Sequence, residues 1–430
     1  MTRAIARFPA VSAILVVALG LLFCIDARAQ QYYDPGILQK TIYRMPGDYQ
    51  AQGVRAGSFI FVPALELVYE DHDNIFYLPE DEVGDTIYHA RPSLSLNSDW
   101  SRHALSLGAS SNIARYQDFS SEDYEDLIFN LNARIDVRHG SFISLRAASM
   151  SLHEDRSTPD DAGGVEPTDF SHDFIEVGYL HTFNRLSAEL KFGLIKTGYD
   201  DARDGDGNVI DNSDRDREQE TANVRLDYQF ASAKSVFMDF GLNSISYDQP
   251  VDGGGFQRDS DGYRVQGGMT WDLTDLLIGS AWIEYLEQDY EDPRFEAVDG
   301  TGFGMSLQWF PTRLTSVNLR MNRAPLETTQ PDTSGYLGTL YSVRLQHELR
   351  RYLLFNARAS YTDNDYQLSR EAPEESLRYT KVYRADIGLS YIFNRYFNLS
   401  GGYTYEKQEA NLAAEDHRAN RYFLTLGLQF

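Results

Sequence analysis

The sequence predicts an all-β protein, a transmembrane antiparallel up-and-down β-barrel of about eighteen strands, and three observations carry that prediction. From Tyr422 to Phe430 every even position is apolar or aromatic, the pattern of a strand buried on one face. Comparable alternating segments recur from about Ser58 onward, and the connections between them are by turns short and long. An apolar run near the N-terminus, preceded by Arg3 and Arg7, marks the chain for secretion.

The elements follow in order. The run from Ala10 to Ile25 is shorter than the roughly 20 residues a spanning helix needs. Ala27-Arg28-Ala29 supplies small residues for cleavage, so residues 1–29 read as a Sec signal peptide and Gln30 as the first mature residue. Cys24, the single cysteine, follows Phe23, where a lipidation site wants a small residue, so the mature chain has no thiol chemistry. Residues 30–56 carry Pro35, Gly36, Pro46 and Gly47 without periodicity. They read as a periplasmic leader or as a segment folded back into the lumen mouth.

The barrel is assigned to residues 57–430. Outward apolar rows include Phe61, Pro63, Leu65, Leu67 and Tyr69 in the first strand, and Leu131, Ala133, Ile135 and Val137 in the fourth. Later rows are Ala222 to Phe230 at even positions, Phe303 to Trp309 at odd positions and Tyr383 to Phe393 at odd positions. A period of two excludes amphipathic helices. Tight turns fall near Asp99–Arg102, Arg138–Gly140, Phe183–Arg185, Ala231–Lys234, Leu273–Asp275, Pro311–Arg313, Arg350–Arg351 and Asn394–Tyr396. Nine longer loops alternate with these eight turns, and several are acidic and Gly-rich: Asp200–Asp216, Asp248–Asp261 and Asp363–Glu375. Outer-membrane barrels have short periplasmic turns and long extracellular loops, so both termini are expected in the periplasm of a bacterial outer-membrane protein. The count is fixed only to 16–18 strands. An open sheet in hydrocarbon would leave unpaired edges, so the strand from His417 to Phe430 must pair with the one starting near Ser58.

Composition agrees. The mean hydropathy is −0.43, and barrel strands average out in this way because lipid-facing and lumen-facing residues alternate. The 28 Tyr and 24 Phe suit interfacial girdles. A formal charge of −25 makes nucleic acid an unsuitable partner.

If the apolar positions face lipid, the positions between them face inward. The inward basic set is Arg91, Arg134, Arg146, Lys191, Arg225, Arg264, Arg320, Arg344, Arg358, Arg384 and Arg421. The inward acidic set is Glu66, Asp136, Glu176, Glu189, Asp227, Asp239, Glu284, Glu348 and Asp386. Arg134 and Asp136, Glu189 and Lys191, Arg225 and Asp227, and Arg384 and Asp386 lie two apart on one strand. One reading makes these charges mutual ion pairs that stiffen the wall. The other makes the Arg set a path for an anionic solute or polymer, since guanidinium binds carboxylate and phosphate bidentately. Whether the arginines cluster at one height decides between them.

No catalytic residues are assigned. His181 and His347 fall on lipid-facing positions, and His103 and His139 lie in or beside short turns, without a Ser and an orienting acid. Asp204-Gly-Asp206-Gly-Asn208 resembles the start of a calcium loop, but Val209 replaces the turn glycine and Arg215 the bidentate acid. No metal site or cofactor is expected, beyond weak Ca²⁺ binding by the acidic loops.

A terminal Phe such as Phe430 is similar to the ending of outer-membrane barrels read by the barrel assembly machinery. Three stretches resemble the β-barrel porin type 2 family. They are Gly57-Ser-Phe-Ile-Phe-Val-Pro63 running on to Tyr69-Glu-Asp-His-Asp-Asn-Ile-Phe76, then Leu94-Ser-Leu-Asn-Ser-Asp-Trp-Ser-Arg-His-Ala104, and Arg115-Tyr-Gln-Asp-Phe-Ser-Ser-Glu-Asp-Tyr124. The resemblance is best over the first four strands and carries no functional residues across. It implies an outer-membrane barrel often encoded beside capsule or exopolysaccharide genes. The expected function is a conduit or accessory in polysaccharide export, with a general or solute-selective porin and a plugged structural or adhesive barrel as alternatives. Expected partners are outer-membrane lipid and lipopolysaccharide, the assembly machinery, and polysaccharide with export-complex proteins.

Overall fold

The computed structural model describes residues 49, 51–158, 161–272, 276–326, 328, 333–370 and 377–430. The signal peptide, most of the leader, the turn at 273–275 and part of the loop at 363–375 lie outside them. Among the described residues eighteen long strands and one short one, Val54–Ala56, form one antiparallel sheet. The long strands are β1 (Phe59–His72), β2 (Asp85–Ser98), β3 (Ala104–Tyr116), β4 (Tyr124–Arg138), β5 (Ser141–His153), β6 (Asp169–Phe183), β7 (Leu186–Tyr199), β8 (Arg217–Ala231) and β9 (Lys234–Tyr247). There follow β10 (Ser260–Asp272), β11 (Leu277–Tyr290), β12 (Val298–Thr312), β13 (Thr315–Leu326), β14 (Thr333–Arg350), β15 (Leu353–Leu368), β16 (Tyr379–Ile392), β17 (Phe397–Ala410) and β18 (His417–Gln429).

Each strand pairs with its sequence neighbour, and β18 pairs with β1 from His72 opposite Arg421 to Ala64 opposite Gln429, closing the barrel. Closure satisfies the amide groups that an open edge would strand in hydrocarbon. Below that seam Val54–Ala56 takes over, pairing with Phe59–Phe61. Gly53 N–H donates to the Phe430 carbonyl at 3.1 Å, and Phe430 N–H to the Pro63 carbonyl at 3.2 Å. Val54–Ala56, read from sequence as leader, is therefore part of the sheet. Tyr49 packs on Leu354 and Ile392, inward-facing residues near the short-turn end.

The short turns use left-handed backbone where the chain must reverse at once: Gly140 has φ 76° and Asn184 φ 59°. At the other end β15 continues to Leu368, so Asp363–Leu368 is strand and not loop. The alternation simply goes on: Asn364 and Tyr366 are buried inward, while outward Asp363 accepts a hydrogen bond from Tyr361 Oη at 3.0 Å.

The outer surface is apolar and the inner surface polar. Ile283 is 72% exposed and Met238 64%, whereas their inward neighbours Glu284 and Asp239 are 7% and 6% exposed. Tyrosines gather outward toward the long-loop end, in contacts such as Tyr69–Tyr88, Tyr341–Tyr361–Tyr383 and Tyr403–Tyr422. Their amphipathic rings suit a membrane interface, one end apolar and the other wet.

Candidate functional site

The sheet register carries the inward face from strand to strand, and it sets members of the expected charged sets opposite one another. Glu66 on β1 opposes Arg91 on β2, and Arg146 on β5 opposes Glu176 on β6. Arg225 on β8 opposes Asp239 on β9, which opposes Gln266, which opposes Glu284 on β11. The wall then divides into sectors with different chemistry.

From β4 to β11 the charges are matched. Arg134 reaches Asp136 at 2.8 Å, Lys191 reaches Glu189 at 3.3 Å and Arg225 reaches Asp227 at 2.8 Å. Arg146 pairs with Glu176, and Arg264 lies 3.3 Å from Asp239 and 3.8 Å from Glu284. Asp136 also caps a short turn, accepting from His103 N–H at 3.0 Å while its own N–H donates to His103 Nδ1 at 3.0 Å. This sector behaves as the ion-paired wall of the first reading.

From β13 to β15 the pattern changes. Arg344 on β14 stands directly opposite Arg358 on β15, and Arg320 on β13 opposes Ser342, two residues from Arg344. Arg358 opposes Asp386 on β16, two residues from Arg384. The four arginines thus form a contiguous row over four strands. Among the described residues the inward positions of β13–β15 hold one carboxylate, Glu348, beside the short turn. Like charges directly opposite on one face of a sheet repel, so the facing of Arg344 and Arg358 does not itself stabilise the wall.

The row ends in a network. Arg384 lies 3.3 Å from Asp386 and 3.2 Å from Glu406, whose same oxygen receives Arg421 at 2.9 Å. Arg91 donates to Asn112 at 3.0 Å. Glu70 and Glu406 are inward and buried but absent from the sequence-derived set. Their parity on β1 and β17 was sufficient to find them.

Loops fold into the long-loop mouth. The connection after β5 begins with Glu154 N–H bonded to the Thr168 carbonyl at 2.8 Å, and residues 154–157 then enter the lumen. Arg156 forks onto Glu122 at 2.8 and 2.9 Å, and Arg215 forks onto Glu154 at 2.5 and 3.0 Å and stacks over Tyr199 at 3.8 Å. Arg215 is only 5% exposed, so the loop Asp200–Asp216 is not merely a solvated acidic surface. Asp204 in that loop accepts from the Asn208 side chain and main chain, which hold its carboxyl below the usual range. Its oxygens are turned into its own loop, and no group of three metal-ligating side chains gathers among the described residues.

Between these loops, β1–β5 and β12–β18 lies a cavity of about 690 Å³. One side carries Arg320, Arg344, Arg358, Arg384 and Arg421 with Glu406 between the last two, and the other sides Glu66, Glu70, Glu122, Asp126, Glu154 and Asp155 with Arg91 and Arg156. The histidines singled out from sequence lie elsewhere: His181 is edge-on to Phe183 at 4.1 Å, and His347 meets Thr315 at 2.9 Å. His72, His89, His153 and His417 do line or adjoin the mouth, His153 stacked on Tyr124 at 3.5 Å and 2.8 Å from Asp126. No spacing rule in the sequence joins residues so far apart in the chain.

Among solved structures, Pseudomonas aeruginosa OpdO is similar at 14% identity over 87% of this chain and 97% of that one, with a TM-score of 0.44. Acinetobacter baumannii OccAB4 is similar at 14% identity over 88% and 99%, with a TM-score of 0.45. Pseudomonas aeruginosa OpdK is similar at 11% identity over 86% and 98%, with a TM-score of 0.44. No curated protein sequence matches the chain. The model of the family described as "Putative beta-barrel porin 2" matches residues 46–430, and the chain belongs to that family of porin-like outer-membrane barrels.

Proposed function

We propose that the barrel is a solute channel selective for anions, with its short turns and both termini in the periplasm and its long loops outside. The observation that carries the proposal is the row Arg320, Arg344, Arg358 and Arg384, contiguous across four strands and facing the cavity. Fixed guanidinium groups replace part of an anion's hydration shell, and the low-dielectric wall focuses their field into the passage. The matched sector from β4 to β11 contributes little net field. It serves as a rigid backing.

The test is a planar-bilayer measurement under a KCl gradient. Replacing Arg320, Arg344 and Arg358 together by Gln should shift the reversal potential toward cation preference. An unchanged potential refutes the anion path, and an electrically silent wild-type barrel refutes the channel itself.

Polysaccharide export is the second reading, because the same row would suit a carboxylated polymer. The loop entering the cavity favours a small solute over a continuous chain. A deletion strain with normal surface polysaccharide removes the export reading.

A further inference from the structure

The channel reading leaves one inward element without a role: the three-residue strap Glu154–Asp155–Arg156. Its two ends are tied by buried ion pairs to different loops. Arg156 forks onto both oxygens of Glu122, in the connection between β3 and β4. Glu154 receives both arms of Arg215, in the connection between β7 and β8. Glu122 and Glu154 are each 3% exposed. Bidentate pairs of this kind fix orientation as well as distance. The residue between the clamps is therefore set in place from both sides.

That residue is Asp155. Its carboxylate accepts from Ser157 N–H at 2.8 Å and from Ser157 Oγ at 2.7 Å, which settles its rotamer. It lines the cavity that the arginine row faces. A solute in the cavity thus meets the arginine row together with several carboxylates, and Asp155 is the one held between the two clamps of the strap. The energetic consequence depends on solute valence. A monoanion can turn its charge to the arginines and keep its neutral end toward Asp155, whereas a dianion places its second charge in the repulsive field.

We infer that the strap is a valence filter, with Asp155 the specificity-determining carboxylate that favours monoanions over dianions, and Glu122 and Arg215 the positioning residues that hold it. This rests on the channel reading and goes beyond it.

The experiment is the permeability of sulfate relative to chloride from bi-ionic potentials in planar bilayers, at about 0.1 M salt, where screening extends over about 10 Å. Folding of each variant is checked by heat-modifiable gel mobility. Asp155→Asn should raise the sulfate-to-chloride ratio about threefold, the effect expected of one screened charge. Arg215→Met should raise it in the same direction with noisier current, and Arg215→Lys, which keeps charge but loses the fork, should lie between. An unchanged ratio in Asp155→Asn overturns the filter. A changed ratio there, with wild-type behaviour in Arg215→Met, overturns the positioning role. Silence of the wild-type barrel overturns the channel reading instead, so the two failures are distinct.

Discussion

Glu406 is the residue whose loss should most weaken the wall. One of its oxygens accepts Arg421 at 2.9 Å and Arg384 at 3.2 Å, and the residue is 6% exposed. At a charge separation of ~4 Å and an effective dielectric of ~20, each contact amounts to about 4 kcal/mol before desolvation. Glu406→Gln keeps an acceptor oxygen but removes the charge that the two buried guanidinium groups of Arg384 and Arg421 share. Breaking a buried pair in this way costs about 3–5 kcal/mol, and the retained acceptor puts the expected loss near the lower figure, about 3 kcal/mol. Removing the second charge as well should recover part of it. Glu406→Gln with Arg421→Gln is expected to be less destabilised than the sum of the single changes, with a coupling of about 1–3 kcal/mol. The assay is reversible guanidinium unfolding in lipid vesicles, followed by tryptophan fluorescence. A Glu406→Gln barrel within about 0.5 kcal/mol of wild type, or strict additivity in the double variant, refutes the argument.

Two other outcomes are expected. Asp292, in the loop after β11, accepts from the Arg294 side chain at 2.6 and 3.0 Å and from Gln257 N–H at 3.1 Å, and these bonds, those from Arg294 foremost, hold its carboxyl well below the usual carboxylate range. A depressed native value means its stabilisation is full above the unfolded value and fades as pH falls beneath it. Hydrogen exchange, corrected for intrinsic rate, should show the Gln257 and Arg294 amides protected at pH 5 and progressively less so below about pH 4. Asp292→Asn should abolish that dependence, and persistence of it would assign the effect to another group. Deleting Phe430 removes the carbonyl that receives Gly53 N–H and the ring beside Tyr396 at 5.8 Å. The folded, heat-modifiable fraction should fall before any conductance per channel changes, and normal assembly would count against a role for this residue in closing or targeting the barrel.

The barrel was legible in the sequence because each strand's side chains alternate between two solvents of opposite character. Phe303, Met305 and Leu307 need no partner to declare their side, nor do Arg320 and Arg358, so parity marks the strands and the side each residue takes, and the strand number only to 16–18. Parity has no reach beyond its own strand. It says that Arg344 and Arg358 point inward, but only the register sets them opposite each other while Arg225 is set opposite Asp239. On one wall opposite charges thereby face each other, and on the other two arginines do. Loops carry no period at all, so nothing in the run of residues could join Glu154 to Arg215 or Arg156 to Glu122. The sequence by itself determined a closed barrel with a charged lumen, because local alternation in two solvents suffices for that. Only the tertiary structure decided which charges face one another and which loop stands in the passage, because those depend on distances between strands and loops that are remote in the chain.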